Sequence, residues 1–240
     1  MSHLAILETK ITNLEAVVLA CGHLGIGILP AKQVSTWYQQ TSSGTSRVHE
    51  CDLVFGRKHA YYGDGNYAPF AMGLRLVPEK GVYEFIGDNF DAASYDRHTL
   101  LQLGPSMLKY EEQRINGLVG HVCTGKPTAL LQEYALQVGV QLAIANGMFH
   151  SRQPAEAVAD DAPEGSEKLV LTGGYLPPHM SMHLIGCPDG TSRVRFEGAT
   201  DSSCYLYTKP LEEQLGLLLA DVSVHDTLHH GQTHFARAAA

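Results

Sequence analysis

The chain has 240 residues, 44% of them hydrophobic and 18% charged, the balance of a folded globular protein with room for one large domain or two small ones. Seventeen Lys and Arg against twenty-five Asp and Glu leave a net charge of −8, which argues against a broad basic surface for nucleic acid. No apolar run approaches the roughly 18 residues of a membrane span, and Met1-Ser2-His3-Leu4 lacks the basic and apolar regions of a secretory signal. Five cysteines at irregular spacing, with no Cys-x-x-Cys pair, point to reduced thiols in a cytoplasmic compartment.

His3 to Lys10 alternates as a strand would. Thr12 and Glu15 have the spacing of a capping box, and Leu14, Val17, Val18, Cys21 and Leu24 follow as the stripe of a helix that Gly25 stops. Val48 to Phe55 is an expected strand. Phe70–Val77 and Val82–Ile86 flank the turn sequence Pro78-Glu79-Lys80-Gly81 and form an expected hairpin. One helix is expected from about Ser106 to Val122, and a second from Pro127 to Gly147.

Ser151 to Glu167 is rich in Ala, Pro, Asp and Glu and is expected to be a flexible insertion, since it offers little apolar surface against the cost of ordering. Lys168–Thr172 is a short strand. Met180–Cys187 and Ser192–Glu197 form a second hairpin, with Met180, Met182 and Leu184 on one face opposed by Val194 and Phe196, and Arg193, Arg195 and Glu197 outward. A helix with Cys204, Tyr207, Leu211, Leu215 and Leu218 on one stripe follows, starting near Thr208 or bending at Pro210. The fold class read from this order is α+β: a mainly antiparallel sheet with packed helices and a small C-terminal ββα unit.

Two resemblances appear along the chain. Met1-Ser2-His3, Thr9-Lys10-Ile11, Asp52-Leu53-Val54, Met72-Gly73-Leu74, Tyr83-Glu84 with Asp88, Gln132 with Tyr134-Ala135 and Gly147, and Leu169-Val170-Leu171 stand in the order found in the plastid and cyanobacterial "hypothetical chloroplast reading frame thirty-five" family, domain of unknown function twelve-fifty-seven. That likeness spans about residues 1–172, with departures at 27–47, 94–125 and 151–167. Pro188-Asp189-Gly190, Gly198, Ser202-Ser203-Cys204, Lys209, Leu211-Glu212 and Leu215-Gly216 resemble domain of unknown function twenty-nine-ninety-seven, although the second glycine of its motif is missing.

The resemblances imply a fusion: one α+β domain over 1–172, a ββα domain over 179–220 and a His-rich tail over 221–240. They also imply a non-enzymatic accessory protein beside an AAA-type ATPase, in a bacterial or phage-infected cytoplasm or a plastid stroma. Neither brings catalytic residues or a cofactor with it, and none is predicted.

Several segments carry candidate chemistry. Gly120-x-x-x-x-Gly125-Lys126 approaches a phosphate-binding loop, but Pro127 stands where a magnesium-holding Ser or Thr is required. Gly63-Asp64-Gly65-Asn66-Tyr67-Ala68 has dinucleotide-loop spacing, yet Pro69 follows where a helix should run. His225/His229 and His230/His234 are each four apart, which on a helix would place a candidate metal pair on one face.

Cys204, near an expected helix start, is the candidate catalytic thiol of the alternative reading, a redox or small-ligand enzyme. A metal-binding accessory protein using the tail histidines is the other alternative. A Cys187–Cys204 disulfide is argued against, because the two lie at opposite ends of the expected hairpin. The lean ββα unit is expected to need a docking surface, on the rest of the chain or on another protein.

Overall fold

The computed structural model describes residues 2–38, 45–57, 67–115, 118–156, 160–198, 205–215, 219–225 and 234–236. The elements run β1 (Ser2–Glu8), α1 (Leu14–Leu24), β2 (Ile28–Leu29), β3 (Gln33–Tyr38), β4 (Thr45–Glu50), β5 (Leu53–Phe55), β6 (Met72–Val77), β7 (Val82–Ile86), α2 (Asn89–Tyr95) and α3 (Arg97–Leu103). After a 3-10 turn at Pro105–Leu108 come β8 (Tyr110–Ile115), β9 (Leu118–Cys123), α4 (Thr128–Ala145), β10 (Met148–Pro154), β11 (Glu167–Gly173), β12 (Ser181–Gly186), β13 (Thr191–Glu197), α5 (Tyr205–Leu215), β14 (Leu219–His225) and β15 (His234–Ala236). All ladders between these strands are antiparallel, and the fold is α+β.

The chain divides into two compact units, Met1–Ala20 with Leu131–Ala240 and Cys21–Leu130. The dividing points fall inside α1 and α4 rather than near 172–179. The expected domain boundary lies instead within the first unit's seven-stranded sheet, ordered β10-β11-β12-β13-β1-β14-β15. The β12–β13 hairpin is therefore no separate appendage, because β11 pairs with one of its edges and β1 with the other. Both of its edges are thus paired by backbone ladders within the chain.

Register places Leu169, Leu184 and Val194 side by side, and Leu171, Met182 and Phe196 in the neighbouring row. These six are buried, as the alternation of the hairpin foretells. α4 lies on this face: a Cβ added to Gly139 would sit 2.7 Å from Leu184 and 2.8 Å from Leu169 side-chain carbons. α5 joins it there, with the Tyr207 ring 6.4 Å from Phe196 and Leu211 and Leu215 buried. Pro210 is accommodated inside α5.

The second unit holds a four-stranded sheet ordered β2-β5-β6-β7 and the separate hairpins β3–β4 and β8–β9. Ala31, Val34, Cys51, Val54, Ala68 and Ala71 form a core cluster, with Leu29 and Ile86 packed against it. The hairpin expected around Pro78–Gly81 forms as β6–β7, Val77 opposite Val82.

Four local expectations are corrected. The cap of α1 is Asn13, whose Oδ1 accepts the Ala16 N–H at 3.2 Å, while the Thr12 hydroxyl donates to the Gln214 carbonyl. The expected strand Val48–Phe55 breaks because Cys51 N–H goes to Lys32 and Asp52 N–H to Leu74, handing the chain from one sheet to another. The helix expected from Ser106 is a 3-10 turn followed by the β8–β9 hairpin. Ser151–Pro154 belong to β10, and Asp160, Ala162 and Ser166 are buried, so the segment expected to be a flexible insertion is largely structured; residues 157–159 lie outside the described residues.

Candidate functional site

Cys204, His229, His230 and Gly63–Asn66 lie outside the described residues. His225 ends β14 and His234 begins β15, so the four-residue helical spacing that paired them with His229 and His230 does not apply to their own elements. Among the described residues no cluster of His, Cys, Asp and Glu has metal-site geometry. The Gly125 turn does stand between a strand and a helix, β9 and α4. A Cβ on Gly125 would collide with the Ser106 and Met107 backbone, so this glycine permits close chain packing. Ala68 is followed by a turn and then β6, with no helix for a dinucleotide.

The face of the large sheet opposite Leu169, Leu184 and Val194 carries a polar cluster. Register lines up Lys168, Ile185 and Arg193 in one row, Val170, His183 and Arg195 in the next, then Thr172, Ser181 and Glu197. Asp160, only 1% exposed, takes the Lys168 ammonium at 2.7 and 3.0 Å and lies 3.8 Å from Arg195. Arg193 reaches Asp161 at 3.2 Å. Burial works to raise the Asp160 pKa, but the hydrogen bonds from Lys168 and the Glu156 N–H outweigh it and hold the carboxyl below its usual range.

His183 is 5% exposed, and its Nε2 lies 3.0 Å from Ser181 Oγ. Burial depresses its pKa; Lys168 and Arg195 add to that, while Glu197 and Asp160 oppose it. The three cations Lys168, Arg193 and Arg195 face the three carboxylates Asp160, Asp161 and Glu197, so the charges balance internally. The cluster fastens residues 160–166 to the sheet. It offers no surplus charge to a ligand.

A cleft of about 540 Å³ opens within the second unit. Its wall is the segment from Gly25 through Pro30, the Gly56-Arg57 step after β5, and His98 and Gln102, which share one face of α3 at i and i+4. The two chain segments touch backbone to backbone: a Cβ on Gly27 would sit 2.5 Å from the Gly56 carbonyl oxygen, and the Gly56 N–H donates back to Gly27 at 3.0 Å. Gln102 Oε1 is buried without a hydrogen-bond partner among the described residues. Sequence reading missed this cleft. The available signals were the glycines at 25, 27 and 56 and the His98/Gln102 spacing.

β10 is an edge strand, and among the described residues its one ladder is to β11. Met148 is buried and the six residues after it are exposed, Phe149 to 78%; Ile144, near the end of α4, is 69% exposed. Arg152 turns back to α4, forming a two-point hydrogen-bonded pair with Glu133 at 2.8 and 2.6 Å and an ion pair with Glu167. Among the described residues no helix is long and apolar enough to cross a membrane.

The chain matches no protein-family model, no curated protein and no solved structure.

Proposed function

We propose that the protein is a non-enzymatic accessory factor that binds a protein partner by strand addition to the outer rim of β10. The observation that carries this reading is an edge strand of seven residues that itself carries the exposed Phe149. Edge strands are usually blunted by charge, proline or bulges, because their unpaired N–H and C=O groups template another strand. Here the one charged side chain able to guard the middle of the strand, Arg152, is engaged with Glu133 and Glu167, and the proline stands at the strand's last position. Backbone hydrogen bonds would supply affinity, and Phe149 with Ile144 would supply an apolar anchor.

The partner class in this proposal is an AAA-type ATPase assembly, the class that the resemblances seen in the sequence would imply. The test is affinity purification from the native host of the wild-type chain and of Phe149→Asp and Ser151→Pro. Recovery of an ATPase-containing assembly with wild type, and its loss with both variants, supports the reading. Equal recovery with all three removes the β10 edge from the interface. Recovery of no partner removes the accessory role.

A further inference from the structure

We infer that the cleft between Gly25–Pro30, Gly56-Arg57 and α3 binds a small carboxylate that also carries a hydrogen-bond donor, a hydroxy- or amino-acid in size and chemistry. The inference is independent of strand addition at β10, since the cleft is built wholly within the second unit.

A volume of about 540 Å³ falls in the range of small-ligand pockets, roughly 300–1,000 Å³. The lining has the composition such pockets show: an apolar wall of Ile28, Leu29 and Pro30 with a few polar groups. Arg57 and His98 give the polar side its donors. Both side chains are exposed, and neither has an ion-pair partner among the described residues. A guanidinium fork matches the two oxygens of a carboxylate.

The choice of carboxylate over phosphate comes from the backbone. A phosphate cradle needs several free N–H groups converging on the ligand. Here the Gly25 N–H is spent on Gly22, the Gly56 N–H on Gly27, and the Arg57 N–H on Asp96 at 2.6 Å. Asp96 is itself occupied by the Thr99 N–H and hydroxyl. The cleft wall also holds an acceptor, Gln102 Oε1, which is buried, has no hydrogen-bond partner among the described residues, and comes within reach of a ligand by rotation of the half-buried Gln102 side chain. An unsatisfied buried acceptor is costly, and a ligand O–H or N–H removes that cost. A carboxylate for Arg57 and a donor for Gln102, joined by a short apolar skeleton against Ile28 and Leu29, describes the ligand.

The experiment follows the amide resonances of Gly25, Gly27 and Gly56 in the isotope-labelled full chain during titration with 2-hydroxyisovalerate, isovalerate and isobutyl phosphate. The hydroxy acid should shift these three glycines saturably. Isovalerate, lacking the donor, should bind about tenfold more weakly because it leaves Gln102 unpaired. Arg57→Met, a change at an exposed side chain, should weaken hydroxy-acid binding about tenfold while leaving resonances elsewhere in place. The inference is overturned by the absence of saturable shifts up to about 10 mM, by equal affinity for isovalerate, by tighter binding of the phosphate, or by indifference to Arg57→Met.

Discussion

The Tyr134 hydroxyl accepts the Thr12 N–H at 3.0 Å from inside the first unit, although 122 residues separate the two in sequence. The same oxygen accepts the Asn13 N–H at 3.1 Å and lies 3.4 Å from the Gln214 carbonyl, so one buried phenol ties α4 to the start of α1 and the end of α5. The first N–H groups of a helix have no partner within it, and here a distant side chain provides one.

Tyr134→Phe keeps the ring but leaves two backbone donors without their acceptor. The expected loss is about 1–3 kcal/mol, read as a lower urea midpoint at unchanged slope. A midpoint equal to wild type would mean that water reaches Thr12 and Asn13 and replaces the hydroxyl.

Local patterning disclosed those elements whose partners lie close in sequence. Pro78–Gly81 announced β6–β7, and the two faces of β12–β13 followed from strict alternation. The segment after Ser106 misled because its apolar spacing suits a helix. Its decisive feature is the pairing of Ile115 with Leu118, two ladder partners so close in sequence that a hairpin is the favoured connection.

Long-range pairing was the harder part. Nothing near His3 indicates that β1 will lie between β13 and β14, and nothing near Ala155 indicates that Asp160 will be buried on Lys168. Composition made residues 151–167 look unable to order. The ion pairs of Asp160 with Lys168 and of Asp161 with Arg193, and the burial of Ala162 against Ile185 and Cys187, supply the compensation that composition could not show. The cleft was hidden for the same reason: Gly27 and Gly56 are far apart in sequence, and their contact alone gives either glycine its meaning.

Lys168→Met leaves the Asp160 carboxylate, 1% exposed, without its ammonium. Removing one partner of a buried pair costs about 3–5 kcal/mol, whereas replacing both by neutral groups of similar size costs far less. The double variant Asp160→Asn/Lys168→Met should therefore recover most of the stability lost by the single change. Limited proteolysis gives a second readout, with cleavage at 155–166 accelerated in the single variant and restored toward wild type in the double. Equal destabilisation by both would show that packing of the Lys168 stem, not charge balance, holds the segment.

His183 makes stability depend on pH with a definite sign. Its folded pKa lies below 6.5 because burial disfavours the imidazolium, so the unfolded chain takes up a proton that the native state refuses. Its contribution is fully present above pH 6.5 and declines as the pH falls below it, at up to about 1.4 kcal/mol per pH unit. Asp160 acts in a lower window: its carboxyl pKa is depressed, so its contribution is lost only as pH falls below 3.8. Urea midpoints measured at intervals between about pH 5 and 7 should fall with acidity in wild type and flatten in His183→Gln. An unchanged slope in the variant would assign the acid sensitivity to another group.

The thiols of Cys21, Cys51 and Cys187 are unpaired and buried. Burial pushes the Cys21 pKa up to about 12 and, with Asp52 and Glu50 adding and Arg75 opposing, that of Cys51 up to about 11. Because the thiolate is the nucleophile, both should react with an alkylating reagent near pH 8 at least about a hundredfold more slowly than a free cysteine. In denaturant without reductant, all five cysteines of the chain should titrate. Mass spectrometry of a brief native alkylation should find Cys21, Cys51 and Cys187 unmodified. A denatured count of three or fewer would reveal a disulfide, and rapid native labelling of Cys21 or Cys51 would show that α1 or the β4–β5 crossing opens readily.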